Sequence, residues 1–134
     1  MAVATKAILV VDPDRFSLAL STQILELEGY EVSTAQSLAE ATVLLSKSRF
    51  DLIITEALCQ SKPLDFDPSF LTKIRALVGN TSIILLSTYA SAGTVRPGTF
   101  GLADVVPKPF DIDDLVRKVN RVLGNAGPRL EEAR

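Results

Sequence analysis

Asp51-Leu52-Ile53-Ile54-Thr55-Glu56 is the stretch from which the fold of this chain is read. It is apolar at consecutive rather than alternating positions and is closed by an acid at each end. A run so short and so bounded reads as a strand buried on both faces, which in a chain of 134 residues means the centre of a parallel sheet. Glu56 then stands at the strand's carboxyl end, where open α/β sheets gather their ligands and chemistry.

Working outward, Ala7-Ile8-Leu9-Val10-Val11 is a second apolar strand, stopped by Asp12-Pro13-Asp14. Phe16, Leu20, Ile24 and Leu27 recur at helical spacing up to Gly29, so a helix follows with these residues as its expected buried side. Tyr30 to Ala35 is a more polar strand, suited to a sheet edge. Ser37-Leu38-Ala39-Glu40 has the spacing of a capping box, and Ala41, Leu44 and Leu45 give the next helix its apolar face.

Beyond Glu56, the segment Ala57 to Phe66 has no clear period and reads as a loop. Asp67-Pro68 predicts a helix start, Phe70, Leu71, Ile74 and Leu77 a buried side, and Gly79 a stop. Ser82 to Ser87 is another buried strand. Thr88 to Leu102 carries Gly93, Pro97, Gly98 and Gly101, so any helix there is short or broken. Asp104-Val105-Val106-Pro107 is a brief last strand. Lys108-Pro109-Phe110 then leads into a C-terminal helix that opens with Asp111, Asp113 and Asp114 and is built on Leu115, Val116, Val119, Val122 and Leu123. Residues 1–124 are read as one domain and 125–134 as a polar tail or the start of a linker.

Strand and helix alternate, which calls for right-handed crossovers and a doubly wound parallel sheet with helices on both faces. Alternation leaves the strand order open. In the order 2-1-3-4-5, Asp12, Glu56, Ser87 and Lys108 converge on one edge.

Composition removes several kinds of function. With 47% hydrophobic and 22% charged residues the chain is an ordinary globular one. It has no histidine, which excludes Ser/His/Asp and Cys/His catalysis and histidine-held zinc; its single cysteine excludes an internal disulfide. A net charge of −2 gives no footprint for nucleic acid, and no apolar run is long enough to span a bilayer. With no basic segment and long hydrophobic region at the start, the expected location is the cytoplasm.

At Asp12, Glu56, Ser87 and Lys108 the chain resembles a response-regulator receiver domain. The matching stretches are Ile8 to Asp12, Asp51 to Glu56, Ile83 to Ser87 and Asp104 to Phe110. The resemblance implies a flavodoxin-like five-stranded parallel sheet in the order 2-1-3-4-5. It also implies a chemistry in which paired acids after the first strand and an aspartate after the third hold Mg²⁺. That aspartate accepts a phosphoryl group from a histidine-kinase partner, while a hydroxyl and a lysine bind the phosphoryl oxygens. A hard cation and an ammonium there neutralise the charge on the transferring group.

Asp12, Ser87 and Lys108 match that pattern, and two positions depart from it. Pro13 replaces one acid of the pair, so Mg²⁺, held only by Asp12 and Glu56, is expected to bind weakly or not at all. Asp14 is expected to cap the first helix instead. Glu56 occupies the phosphoacceptor position, and its extra methylene carries the carboxylate roughly 1.5 Å towards Lys108. A shift of about 1 Å can cost on the order of 10²-fold in rate. Val105 stands where the family carries the aromatic that moves with the hydroxyl, and the loop after Glu56 lacks the family's Met-Pro and Asp-Gly pattern.

Glu56 therefore reads as a permanent phosphomimic or as a vestige, and Lys108 and Asp12 as its charge-balancing partners. Ser87 either caps its strand or faces a ligand. Cys59 reads as a small buried hydrophobe rather than a reactive thiol, and Arg117, Lys118 and Arg121 as the solvent face of the last helix or a docking surface. The expectation is an atypical, phosphorylation-independent interaction module, meeting a protein partner in a signalling pathway through the face formed by the last strand and last helix. A true phosphoryl-accepting regulator and a small-anion binder anchored on Lys108 are the alternatives.

Overall fold

The apolar runs pair as one parallel sheet because each is hydrophobic on both faces and can be buried only between two layers of helices. The structure, a computed structural model, describes residues 5–56, 68–87 and 101–124. Strands β1 (Ala7–Val11), β2 (Glu31–Ala35), β3 (Leu52–Thr55), β4 (Ser82–Ser87) and β5 (Asp104–Pro107) lie in the order β2-β1-β3-β4-β5. The described helices are α1 (Arg15–Leu27), α2 (Leu38–Lys47), α3 (Pro68–Val78) and α4 (Ile112–Val122). The sheet order and the edge position of the polar strand are as expected. The loop after Glu56 with Cys59, the Asp67 cap, the short or broken helix after Thr88 and the tail from 125 onward lie outside the described residues.

Alternate side chains divide the core. Leu9, Val11, Ile53, Ile83 and Leu85 pack under α2 and α3. Ile8, Val10, Leu52, Ile54, Ile84, Leu86 and Val106 meet Leu18 and Leu25 of α1 and Leu115 and Val119 of α4. Each such fully buried aliphatic side chain contributes about 1.5–3 kcal/mol.

Local signals set the helix ends. Asp14 caps α1, its Oδ1 accepting from the Phe16 and Ser17 amides at 2.9 and 3.4 Å. Gly29, at φ 95°, supplies the left-handed residue just past the end of α1. The box at α2 closes with a one-residue offset. The Glu40 amide donates to Ser37 Oγ at 3.1 Å, but the Glu40 carboxylate accepts from Gln36, at 2.7 Å, rather than from the cap residue's own amide. Asp111 caps α4.

The buried side expected for α1 is wrong. Phe16 and Leu27 are 88% and 86% exposed and Leu20 is 44% exposed; of the four, only Ile24 is buried. The inward stripe is Ser17, Leu18, Ser21, Ile24 and Leu25. Small hydroxyl side chains let the helix sit close on the sheet, and Ser21 meets its polar demand locally by donating to the Ser17 carbonyl at 2.8 Å. A smaller correction concerns α3, where Leu77 is largely exposed and Val78 is the residue packed against the core.

Candidate functional site

Sheet register brings the acids together. Val11 pairs with Thr55, so the residues that follow them, Asp12 and Glu56, leave adjacent strands side by side. Strands so paired lie about 4.8 Å apart. The Asp12 amide donates to the Ala35 carbonyl at 3.0 Å and the Glu56 amide to the Val11 carbonyl at 2.9 Å, which fixes both backbones. Ser87 pairs with Pro107, and the Lys108 amide donates to the Ser87 carbonyl at 3.1 Å. Lys108 thus leaves β5 level with the end of β4, and the Lys108–Pro109 peptide is cis.

From there the Lys108 side chain reaches back over the sheet edge. Its Nζ lies 2.6 Å from Asp12 Oδ2 and 3.0 Å from Glu56 Oε1. The other Asp12 oxygen accepts from the Asp14 amide at 2.9 Å. Asp12, Glu56 and Ser87 are all buried, at 1%, 3% and 0% exposure. The geometry therefore gathers all four strand-end residues at one edge, with Asp12 and Glu56 joined through one ammonium. Val105, buried on β5, faces the core under α2 and α3, and its carbonyl accepts from Lys118 Nζ at 2.8 Å.

Burial by itself would lower the Lys108 pKa. The hydrogen bond and charge of Asp12, reinforced by those of Glu56, outweigh it and hold the pKa above its ordinary value of 10.5. Because the ammonium is stabilised by folding, its contribution is complete below the unfolded pKa of about 10.4 and is lost as pH rises through the higher folded value. Thermal melts from about pH 9 upward should show the wild type losing stability in that alkaline window, while Lys108→Met lacks this component. Equal slopes for the two proteins would contradict the pairing.

The Mg²⁺ implied by the family resemblance needs near-octahedral oxygen ligation. The described residues do not fit it. Pro13 brings no side-chain oxygen, both Asp12 oxygens already accept hydrogen bonds, and the Lys108 ammonium spans the two carboxylates. Among the described residues, no group of three or more Asp, Glu, His or Cys could hold a metal ion.

Of the basic residues of α4, Arg117 and Arg121 lie on the solvent face expected of them and Lys118 does not. Arg117 and Arg121 are exposed, but Arg121 pairs with Asp104 at 2.5 Å and Arg117 with Asp114 at 2.5 Å. Lys118 is mostly buried, holding Asp114 at 3.1 Å as well as the Val105 carbonyl. Of these contacts, Arg121 with Asp104 and Lys118 with the Val105 carbonyl join α4 to β5, while both pairs to Asp114 lie within α4. The sequence reading missed them, although an acid such as Asp104 opening an otherwise apolar strand marks a position that needs a cation. Arg75 was also missed: its guanidinium donates to the carbonyls of Gly79, Thr81 and Gly101 at 2.7, 2.7 and 2.9 Å, closing the end of α3 onto the approaches to β4 and β5.

A parallel 2-1-3-4-5 sheet with acids after β1 and β3, a hydroxyl after β4 and a lysine after β5 defines a class of signalling domain built around an acidic strand-end pocket. The chain belongs to the response regulator receiver domain family, whose sequence model matches residues 8–120. It is 32% identical over 126 residues to the transcriptional regulatory protein PrrA of Mycobacterium leprae, covering 93% of this chain and 53% of that protein. It is 30% identical over 125 residues to the DNA-binding transcriptional regulator NtrC of Bradyrhizobium sp. (strain RP501 Parasponia), covering 92% and 25%. Among solved structures, the CheY-like receiver domain protein of Methanospirillum hungatei superposes with a TM-score of 0.76 at 29% identity, covering 90% of this chain and 95% of that one. The chain thus spans between a quarter and about half of the length of these two regulators.

Proposed function

We propose that this receiver domain of a two-component response regulator works without phosphorylation, as a protein-interaction module whose acidic pocket is held permanently in one charge state. The carrying observation is the Lys108 ammonium bonded to both Asp12 and Glu56, with proline in place of the second acid. In this reading Glu56 acts as a built-in phosphomimic: its carboxylate supplies constantly the negative charge near Lys108 that phosphorylation would supply on demand. The same ion pair removes Glu56 from service as a nucleophile, since its charge is committed to the lysine and no metal-binding acid pair stands beside it.

Domains of this family are generally non-enzymatic signalling modules that meet protein partners such as kinases and effector domains. The partner here is a protein of a cytoplasmic signalling pathway, engaged at the β5 and α4 face, where Arg121 pairs with Asp104 across the two elements and Lys118 with Asp114 within α4. No described helix is long and apolar enough to cross a membrane. The small-anion reading is less well supported, since the sequence carries no Gly-rich phosphate loop.

Incubation with acetyl phosphate and Mg²⁺ followed by intact-mass measurement tests the proposal. The expected spectrum shows the unmodified chain only, and beryllofluoride with Mg²⁺ leaves the amide NMR spectrum unchanged. A phosphorylated species at Glu56 or Asp12 would establish the phosphoryl-accepting alternative.

A further inference from the structure

The solvent face of α1 carries Phe16, Leu20 and Leu27, three large apolar side chains left exposed. Phe16 and Leu27 are eleven residues apart, three turns to within about 20°, so they share one face with Leu20 between them. Past its Asp14 cap, the charges within this helix run against its dipole. Arg15 stands in the first turn and Glu26 near the end, with no acid in the first turn and no base in the last. Helix dipoles favour the opposite arrangement, and α2 and α4 both have it, with Glu40 before Lys47 and Asp113 and Asp114 before Arg121. Among the described residues, neither Arg15 nor Glu26 makes an ion pair.

We propose that α1 is a self-association surface on which a second copy of this chain packs antiparallel about a two-fold axis. An axis passing between Leu20 and Gln23 sets Phe16 against Leu27 of the second copy and, by symmetry, Leu27 against its Phe16. The same operation brings Arg15 within reach of Glu26 of the second copy, twice over. Arg15 and Glu26, neither ion-paired within its own chain, then each gain an opposite charge, in addition to the acid that the Asp14 cap already places at the helix start. Parallel packing would oppose like charges, so the charge pattern selects the antiparallel two-fold pair. This surface is separate from the Asp12, Glu56 and Lys108 pocket and does not depend on how that pocket is read.

Sedimentation velocity across a range of concentrations, on the full 134-residue chain, decides it. The wild type is expected to sediment as a reversible dimer, and Phe16→Asp or Leu27→Asp as a monomer. Arg15→Glu and Glu26→Arg each turn two attractions into repulsions and should weaken the dimer about tenfold. The double reversal R15E/E26R should recover most of that affinity, which a merely unfolded or sticky helix would not do. A monomer at every concentration would overturn the proposal and leave the stripe to a different protein. So would a dimer indifferent to Phe16→Asp and Leu27→Asp, or single reversals that the double variant fails to rescue.

Discussion

Lys108→Ala is expected to cost about 3 kcal/mol of folding stability, a fall in Tm of roughly 10 °C. The expectation follows from what remains behind. Asp12 and Glu56 are almost wholly buried, and the ammonium lies within 3.0 Å of both. Its removal leaves two carboxylates side by side with their shared cation gone, so the cost is mostly that of uncompensated charge rather than of a lost attraction. Added salt should restore little, since buried pairs are poorly screened. Adding Glu56→Gln to Lys108→Ala should recover part of the loss by removing one of the stranded charges. Chemical denaturation of the single and double variants measures both effects. A single variant within about 0.5 kcal/mol of wild type, the range of an ordinary surface substitution, would show that the cluster holds no strong pairing.

The opposite kind of change is expected from the double variant Pro13→Asp/Glu56→Asp. Shortening the side chain at 56 withdraws the carboxylate by roughly 1.5 Å from the lysine, and an aspartate at 13 restores an oxygen ligand beside Asp12. Acetyl phosphate with Mg²⁺ should then label the double variant at a rate on the order of 10²-fold or more above the wild type. Each single variant should fall well short, because a metal without a placed nucleophile, or a nucleophile without its metal, completes only half of the site. Intact-mass time courses give the rates. Should the double variant stay unlabelled while folding normally, the proposal that Pro13 and Glu56 keep this domain from accepting a phosphoryl group would fail.

The strand ends were legible in the chain because consecutive buried aliphatics stop at a polar residue, and in a parallel sheet all such stops fall on one edge. That puts Asp12, Glu56, Ser87 and Lys108 on one edge, while their meeting depends on the order 2-1-3-4-5, which strand and helix alternation leaves open and the family resemblance supplies. The phase of α1 was not legible in the same way. Phe16, Leu20, Ile24 and Leu27 make a convincing apolar stripe, whereas the face that is buried includes the polar Ser17 and Ser21, which no hydrophobic period marks. Contacts such as Arg121 with Asp104, and Lys118 with the Val105 carbonyl, join residues of two elements. No helical or strand period reports them, because their partners are chosen by how α4 lies along β5.

One consequence of the lysine bridge concerns competition. Lys108 is carried by the same chain as the acids it binds, so its amine is held against them at an effective concentration in the millimolar range or above, without ever being depleted. A dissolved cation must displace a ligand that cannot diffuse away. A change in the ionic content of the surroundings therefore acts on Asp12 and Glu56 against a cation that is always at hand.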